Sequence, residues 1–284
     1  MKRMLILVAL VLIAGLAGIV RSHSGARATI AELPGMLSQN SSGEVRDEIR
    51  KSYELAPGAR VELSDVNGAI NIETSDTKTA DVYIVRTGSC QEVLNRRKMS
   101  VEADANGLRI RGTKGDVGFF SSLFGSNPSE RITLKLPRQI SLLTKGVNGS
   151  LVVGDLDGSV EVHGINGRVQ IAGTSGSADF KGVNGNIVVG LKQLNGGGVS
   201  IGGVNGSIEL RLNEGLNADL DTHGMNGRVI SELSEVEIVR NKRGSYSARI
   251  GNGGSMITAS GINGNIRLTR APSTSSASTE AGKQ

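Results

Sequence analysis

The chain has 284 residues, 38% of them hydrophobic, which is enough for one large domain or two small ones with a buried core. Its 32 basic and 27 acidic residues give a formal charge of +5, but four of the basic residues lie before position 28, where no acidic residue occurs: Lys2, Arg3, Arg21 and Arg27. The rest of the chain contains 28 basic and 27 acidic residues. This near-neutral balance removes the electrostatic case for nucleic-acid binding, which requires clustered Lys and Arg.

Composition also indicates the kind of core. Glycine contributes 40 residues and proline only 5, without a Gly-X-Y period, so collagen and low-complexity chains are excluded. Aromatic residues amount to 2%, so the core must consist of Val, Ile and Leu, which favour strands. Cys90 is the one cysteine and cannot form an intrachain disulfide. We interpret it as a small buried hydrophobic residue, with a reactive thiol as the alternative.

The N-terminus has the pattern of an export signal. Lys2 and Arg3 precede an uninterrupted run of apolar and small residues at 4–20. At 17 residues this run fits either a cleaved signal peptide or an uncleaved membrane anchor, and Ala26-Arg27-Ala28 has the small-x-small form of a cleavage site. The positive-inside rule then puts the rest of the chain in the periplasm or at the cell surface, with membrane contact only through the N-terminal segment.

The remaining chain divides by composition into three parts. Residues 29–50 are polar without a periodic pattern and are predicted to be a linker. Residues 51–270 carry the repeats described next. Residues 271–284 are rich in Ser, Thr and Ala, with Pro272 near their start, and are predicted to be a disordered tail.

A nine-residue repeat predicts the architecture. Between positions 147 and 189, five glycines recur every nine residues: Gly149, Gly158, Gly167, Gly176 and Gly185. Counting from the residue before each glycine, positions four and six are apolar, and we expect them to face inward: Leu151, Val160, Val169, Ala178 and Ile187, then Val153, Val162, Ile171, Phe180 and Val189. Positions three and five are mostly polar. Each unit is therefore a short strand with alternating faces.

From Asn148 onward, an apolar residue followed by Asn-Gly occurs on alternate units at steps of 18 to 21 residues, and Asn263 follows 37 residues after Asn226, about two further steps. We expect these asparagines to form structural corners, stacked on one edge because Asn and Gly tolerate positive φ and Asn amides can bond to one another: Asn67, Asn148, Asn166, Asn184, Asn205, Asn226 and Asn263. The sequence thus predicts an all-β fold, a parallel β-solenoid of 18–21 residues per coil, with a hairpin-containing N-terminal region.

The alternative is that each Asn-Gly forms a two-residue hairpin. In a hairpin the flanking residues share one face, yet apolar Val147 would then oppose Ser150, and Ile165 would oppose Arg168. Asn106-Gly107 is different because Ala105 would oppose Leu108 and Ala103 would oppose Ile110, so we predict a hairpin there.

The region before the array is expected to form the first rungs and to cover the open end of the solenoid. It carries Val66-Asn67-Gly68, followed by Ile70 and Ile72 at inward positions. A loop between Gly115 and Glu130 holds three of the four phenylalanines: Phe119, Phe120 and Phe124. We expect this loop to pack over the solenoid, with a partner or membrane contact as the alternative.

These features resemble the bacterial putative-adhesin family, domains of unknown function with β-strand repeats. The resemblance covers roughly residues 53–268. It is carried by the Asn-Gly array together with Leu55-Ala56-Pro57-Gly58, Val66-Asn67-Gly68, Leu136-Pro137, and the glycines at 251–254 that precede Ile262-Asn263-Gly264. The resemblance implies a single-stranded β-helix located in the cell envelope. It provides no catalytic or binding residues.

The best candidates for chemistry are two carboxylates and two histidines. Glu161 and Asp179 share position five, 18 residues apart, and would stack about 4.8 Å apart, close to the separation in retaining glycosidases. We favour solvated charges on an outer face. His163 and His223 precede Asn-Gly by three residues, about three coils or 14 Å apart, which is too far to chelate a metal.

We therefore expect an exported, non-enzymatic, adhesin-like structural or interaction protein that presents rigid outer faces to an envelope or surface protein or a glycan. No cofactor, no metal site and no catalytic residue is predicted. Two alternatives stay open. One is a polysaccharide-acting β-helix enzyme that uses Glu161 and Asp179. The other is end-to-end assembly into filaments, which Pro272 just after the last strand argues against at that end.

Overall fold

The computed structural model describes residues 44–114, 128–194 and 197–272, and this part of the chain is all-β, as the sequence predicts. Its first strands are β1 Val45–Glu54, β2 Arg60–Val66, β3 Gly68–Ser75, β4 Thr79–Gly88, β5 Arg97–Asp104, β6 Gly107–Lys114 and β7 Ser129–Pro137. One short helix, α1 Gln91–Asn95, lies between β4 and β5.

The Asn-Gly array follows as shorter strands. They are β8 Ser141–Asn148, β9 Leu151–Leu156, β10 Val160–Asn166, β11 Val169–Thr174, β12 Ala178–Asn184, β13 Ile187–Leu191, β14 Val199–Asn205 and β15 Ile208–Leu212. The C-terminal strands are β16 Ala218–His223, β17 Val229–Ser231, β18 Glu237–Lys242, β19 Ser245–Ile250, β20 Ser255–Asn263 and β21 Ile266–Arg270.

The strands form two large mixed sheets. Sheet A has ten strands in the order β1-β4-β7-β3-β9-β11-β13-β15-β21-β17. Sheet B has eleven in the order β18-β19-β16-β20-β14-β12-β10-β8-β2-β6-β5. Along the array, consecutive strands alternate between the sheets, so each Asn-Gly corner connects a strand of sheet B to a strand of sheet A.

Neighbouring strands of the array are parallel. In sheet B, β10 pairs with β8 and β12, with Val160 opposite Leu142 and Ala178. In sheet A, β11 pairs with β9 and β13, with Val169 opposite Leu151 and Ile187. Partners are thus 18 residues apart, one full sequence repeat. The hairpin alternative for these Asn-Gly corners is wrong, because a hairpin requires antiparallel neighbours.

The predicted inward positions form the core. All ten apolar side chains at positions four and six of the nine-residue units are at most 1% exposed, and strands of both sheets contribute to one hydrophobic cluster. The apolar residues before the corners, such as Val147 and Ile165, are buried in the same cluster. Since burial of one Val, Ile or Leu side chain stabilises by roughly 1.5 to 3 kcal/mol, this repeated pattern is the main source of cohesion.

At the N-terminal end of the stack, the outermost strands of both sheets pair antiparallel. β4 pairs antiparallel with β1 and β7, and β5 forms a hairpin with β6. The hairpin confirms the prediction for Asn106-Gly107, but its register differs, because Ala103 lies opposite Leu108 and the turn is Ala105-Asn106. The Asp104 carboxylate accepts the Asn106 N–H at 2.8 Å and fixes this turn.

Strand β1 extends into the segment that the sequence analysis assigned to a linker. The assignment ended at residue 50, whereas β1 begins at Val45 and pairs with β4 along its whole length. Its charged sequence lacks the alternation of a core strand because it lies at the edge of sheet A, where polar side chains are favoured.

The C-terminal strands do not stack in chain order. The sequence analysis placed Asn263 beyond Asn226, but β20 lies between β14 and β16, and β21 lies between β15 and β17. In sheet B, β16 pairs with β19 of the antiparallel β18–β19 hairpin along one edge. Its other edge, which is nearer to β14, pairs with β20. Pro272 therefore follows an interior strand, and the argument that it blocks a terminal rung is wrong.

Several predictions concern residues outside the described ranges. These are the export segment at 1–28, the greater part of the linker, Phe119, Phe120 and Phe124, and the tail from 273 onward. Within the described ranges, no helix has the length and apolar character needed to cross a membrane.

Candidate interaction face and asparagine column

The seven predicted corner asparagines lie in one column. Asn148, Asn166, Asn184, Asn205 and Asn263 are register partners in sheet B, and Asn226 bridges to Asn263 at the C-terminal end. Five of the side-chain amides bond along the column, Nδ2 donating to the Oδ1 of a neighbour: Asn148 to Asn67 at 3.0 Å, Asn166 to Asn148 at 3.1 Å, Asn184 to Asn166 at 3.2 Å, Asn263 to Asn205 at 3.4 Å and Asn226 to Asn263 at 3.0 Å. These bonds all run in the same direction.

The glycine after each asparagine is set by close backbone approach. A Cβ on Gly149 or Gly167 would overlap the carbonyl oxygen of the preceding corner glycine. The Gly167 N–H donates to the Asn184 carbonyl at 3.0 Å, and the other interior corners repeat this bond. The corner thus joins consecutive repeats through both its backbone and its side chain.

A second glycine column was missed at the sequence level. The residue three before each corner glycine has φ between 62 and 64°: Gly146, Gly164, Gly182, Gly203, Gly224 and Gly261. Asp65 occupies the equivalent place in the first repeat with φ 57°. The signal was present as Gly-x-Asn-Gly, and its physical cause is a left-handed bend that only Gly, Asn and Asp adopt readily.

Two further asparagines bond between repeats. Asn186 Oδ1 accepts the Ser207 N–H at 2.9 Å, and Asn265 Oδ1 accepts the Arg228 N–H at 3.0 Å. The sequence analysis treated this position as polar variation. Because Ser, Arg and Asn all occur there, no periodic signal could have identified the two bonds.

A buried carboxylate closes the N-terminal end of the column. The Glu130 side chain is fully buried, accepts the Asn67 N–H at 2.7 Å, and forms an ion pair with Arg97 at 3.2 Å. Asn67 Nδ2 donates to the Pro128 carbonyl at 3.0 Å. Asn67 therefore has partners on the side of the column where no further asparagine stacks.

The outer face of sheet B carries an acidic row beside a basic row, which we call the charged ladder: Glu62, Glu161 and Asp179, with Leu143 between Glu62 and Glu161, and Lys145, His163 and Lys181. Lys145 Nζ contacts Glu62 Oε1 at 2.7 Å, and Lys181 Nζ contacts Asp179 Oδ2 at 2.6 Å. His163 Nε2 lies 3.1 Å from the same Asp179 oxygen. The ladder links β2, β8, β10 and β12 from outside the core.

Glu161 and Asp179 are neighbours, as the sequence predicts, since they are register partners on β10 and β12. Both have side-chain partners: Asp179 contacts Lys181 and His163, and Glu161 lies 3.7 Å from Arg60. Burial acts to raise the pKa of Asp179, but the hydrogen bonds from Lys181 and His163 outweigh it and leave that pKa lowered. A glycosidase acid needs a raised pKa, so Asp179 is unsuited to that role.

Glu62 is held in its charged form in a similar way. The hydrogen bond from Lys145 lowers its pKa, with a further contribution from Arg109, against the opposing effect of burial. Its side chain is 12% exposed, which makes this ion pair the most enclosed in the ladder. The face is therefore built from charges that already have partners.

His163 and His223 lie in one register column but are further apart than the sequence suggested. The column runs from His163 through Lys181, Gly202 and Ser260 to His223, because β20 intervenes. Four strand steps correspond to about 19 Å. His223 lies 3.6 Å from Asp221, so each histidine has its own carboxylate.

An uncharged strip separates the charged ladder from Asp221. It consists of exposed or half-exposed small residues on β14 and β20: Ser200, Gly202, Thr258 and Ser260. The outer face of sheet B thus changes from charged to neutral and back to charged along the stack.

Cys90 does not fit the buried interpretation. It is exposed and is the N-cap residue of α1. Among the described residues, no group of three or more His, Cys, Asp or Glu side chains is arranged to hold a metal ion.

Solved structures with partial similarity carry adhesin names. One is a putative cell adhesion protein from Clostridium sporogenes, 14% identical, covering 79% of this chain and 99% of that chain with a TM-score of 0.41. Another is a putative adhesin from Bacteroides fragilis, 15% identical, covering 78% and 97% with a TM-score of 0.32. At these low identities and TM-scores, the similarity by itself assigns neither a fold nor a function to this chain.

No family model matches the chain, and comparison with curated proteins gives no match either.

Proposed function

We propose that this protein is an adhesin-like interaction protein of the cell envelope, built as a parallel β-solenoid of the single-stranded β-helix type. The observation that carries the proposal is the in-register stacking of Asn148, Asn166 and Asn184, with parallel strands on both sides of the corner. A chain that winds forward in this way presents the same outward positions on successive rungs. Such a surface suits an extended or repetitive partner.

Rigidity is the physical basis of the mechanism. The strands share one hydrophobic cluster, and the charged ladder fixes side chains on the outer face. Because this face is already rigid, it loses little conformational entropy when a partner binds. Many weak contacts along the rungs then add to useful affinity.

The binding face in this proposal is the outer face of sheet B. It combines the charged ladder with the neutral strip of Ser200, Gly202, Thr258 and Ser260. The partner is an envelope or surface protein or a glycan, met outside the cytoplasmic membrane. Export is proposed from Lys2, Arg3 and the apolar run at 4–20, which acts as a cleaved signal or as an anchor.

The competing function is polysaccharide hydrolysis by Glu161 and Asp179, which lie side by side on β10 and β12. Against it stand the ion pairs of both carboxylates, and the lowered pKa of Asp179 excludes that residue as the general acid. We therefore prefer an exported binding protein, because Glu161 and Asp179 already have cationic partners and are poorly suited to act on a substrate.

Binding is tested by co-sedimentation of the full-length protein with isolated cell envelopes at low and high salt. The variant Asp179→Asn with Lys181→Gln removes the Asp179–Lys181 ion pair from sheet B, and with it the carboxylate that His163 contacts, without changing the formal net charge. The variant Glu209→Gln with Arg211→Gln removes the equivalent same-strand pair from sheet A, where the two atoms are 2.7 Å apart. We expect at least about a tenfold loss of affinity for the first variant only.

Equal binding by wild type and both variants would contradict the assignment of the face.

The same preparations are incubated with cell-wall and capsular glycans. Release of new reducing ends by wild type, abolished by Glu161→Gln with Asp179→Asn, would establish the hydrolase instead.

A further inference from the structure

The corner dipeptide Asn-Gly is chemically reactive as well as structural. The backbone nitrogen after an asparagine can attack the side-chain amide carbon and close a five-membered imide. Glycine favours this reaction because it lacks the Cβ that shields the nitrogen. The reaction requires that this nitrogen be free to leave its peptide plane and its hydrogen bond.

Interior corners hold this nitrogen in place. The corner glycine N–H donates to the asparagine carbonyl of the next repeat at 3.0 to 3.1 Å: Gly149 to Asn166, Gly167 to Asn184, Gly185 to Asn205, Gly206 to Asn263 and Gly264 to Asn226. Each of these corners is also packed between two others in the column. The attacking group is therefore fixed by the neighbouring repeat.

Asn226 is the last member of the column and has no following repeat. Its side chain donates to Asn263 at 3.0 Å, but within the described residues the Gly227 N–H has no hydrogen-bond acceptor. Asn226 is exposed to water, and the strand that follows, β17, has three residues at the edge of sheet A. The hydrogen bond that fixes the glycine nitrogen at the interior corners is absent here, and the corner is held instead through carbonyls: Asn226 accepts the Gly264 N–H and Gly227 accepts the Tyr246 hydroxyl, each at 3.1 Å.

We propose that Asn226-Gly227 is a site of spontaneous deamidation within the asparagine column. The Gly227 nitrogen forms a bond to Asn226 Cγ, the Cγ–Nδ2 bond breaks, and Nδ2 leaves as ammonia with the proton of the Gly227 N–H. Water then opens the imide at either carbonyl to give aspartate or isoaspartate. No electrons are transferred, and water is the co-reactant.

The modification removes the last bond of the column. A carboxylate cannot donate to Asn263 Oδ1, and Asn263 cannot reverse its amide without losing its own bond to Asn205. Two oxygens then face each other at the end of the stack, and isoaspartate also lengthens the backbone next to β17. The short pairing of β17 with β21 loosens, which uncovers the edge of β21.

The proposal is tested by ageing full-length protein at mildly alkaline pH and 37 °C (about 310 K), conditions in which thermal openings of the fold stay rare. Peptide mapping by mass spectrometry then reads deamidation at each corner. We expect Asn226 to react at least about tenfold faster than Asn148, Asn166, Asn184 and Asn205. In denaturant, where the column is absent, all five rates should converge. Equal rates in the folded protein would overturn the proposal.

Two variants separate the reaction from its structural consequence. Asn226→Gln keeps a donor but disfavours the five-membered ring, so this position should stay unmodified and amide exchange in β17 should not change with age. Asn226→Asp mimics the product and should accelerate exchange at Val229–Ser231 from the start. Unchanged exchange in Asn226→Asp would refute the loosening of β17.

Discussion

Each repeat uses two glycines for different physical reasons. Gly164 has φ 63°, and a Cβ built on it would meet no atom closer than the Gly146 nitrogen at 3.7 Å, so its requirement is conformational. A Cβ on Gly167 would overlap the Gly149 carbonyl oxygen, so its requirement is steric in addition to its positive φ of 156°. In the first repeat, the position equivalent to Gly164 is occupied by Asp65, which has a similar φ of 57°. A short polar side chain is therefore tolerated at this position.

We expect Gly164→Ala to lower the unfolding free energy by about 1 to 2 kcal/mol, the cost of a left-handed conformation for an ordinary residue. Gly164→Asn should cost less, because Asn adopts this region more easily. Gly167→Ala should cost more than either, since the backbone of the neighbouring repeat must move. Urea denaturation of the three variants gives the order, and equal losses for Gly164→Ala and Gly164→Asn would contradict the conformational explanation.

Two core threonines differ in whether their hydroxyls are satisfied. Thr144 is buried between its register partners Leu63 and Val162, and its hydroxyl has no hydrogen-bond partner. Thr222 is equally buried, but its hydroxyl donates to the Tyr246 carbonyl at 3.2 Å and accepts the Tyr246 N–H at 2.9 Å. The same residue type therefore costs free energy at one site and contributes it at the other.

The substitution Thr144→Val should raise the unfolding free energy by about 1 kcal/mol, because it removes an unpaired buried hydroxyl at nearly constant shape. Thr222→Val should lower it by about 1 to 3 kcal/mol by leaving Tyr246 backbone groups unpaired. Chemical denaturation measures both. A loss of stability in Thr144→Val as large as in Thr222→Val would mean that the Thr144 hydroxyl has a partner in solution.

At the scale of elements, the charged ladder joins strands that neighbour one another in sheet B but are not consecutive along the chain. Glu62 on β2 pairs with Lys145 on β8, and Asp179 on β12 pairs with His163 on β10. In both carboxyl groups the pKa is lowered from the ordinary values of 4.5 and 3.8, because cations hydrogen-bond to the charged form. The ladder therefore makes stability depend on pH.

The sign follows from the lowered pKa values. A carboxyl that binds its proton less tightly in the folded state stabilises the fold above its unfolded pKa, and that contribution disappears as the pH falls through its folded pKa. We expect the unfolding free energy to fall between about pH 5 and pH 3, and to fall less steeply in the variant Glu62→Gln with Asp179→Asn. Urea titrations across this range test it, and parallel curves for the two proteins would exclude the ladder as the cause.

At the scale of the whole described molecule, both sheets have open edges. Sheet A ends at β1 and β17, and sheet B ends at β5 and β18. β1, β5 and β18 are rich in charged residues, while β17 is three residues long. Short and charged edges discourage strand addition from another chain, which also opposes end-to-end assembly into filaments.

Removing edge charge should therefore promote association. We expect Glu237→Thr with Arg240→Thr on β18 to sediment as larger species than wild type as the concentration rises. The matched variant Glu209→Thr with Arg211→Thr lies on β15, between β13 and β21, and should sediment like wild type. Sedimentation velocity over a concentration series distinguishes them, and equal behaviour of the two variants would count against edge protection.

The sequence by itself determined the strands of the array, their inward faces and the parallel neighbours 18 residues apart. Strand geometry explains this, because side chains alternate with a period of two, so burial of Val169 and Ile171 follows from their spacing. The stacked corners follow from the 18-residue repeat, which brings Asn166 into register with Asn148 and Asn184, the two asparagines to which it bonds.

Only the tertiary structure decided the order of the last repeats, the hairpin register at Ala105-Asn106, and the strand character of residues 45–50. It also decided that Asp179 is held by His163 from the next strand. These features depend on which edge a strand joins and on which side chains meet across strands. Local sequence patterns specify the direction of a side chain but not its partner, since partners arise from packing between segments distant along the chain.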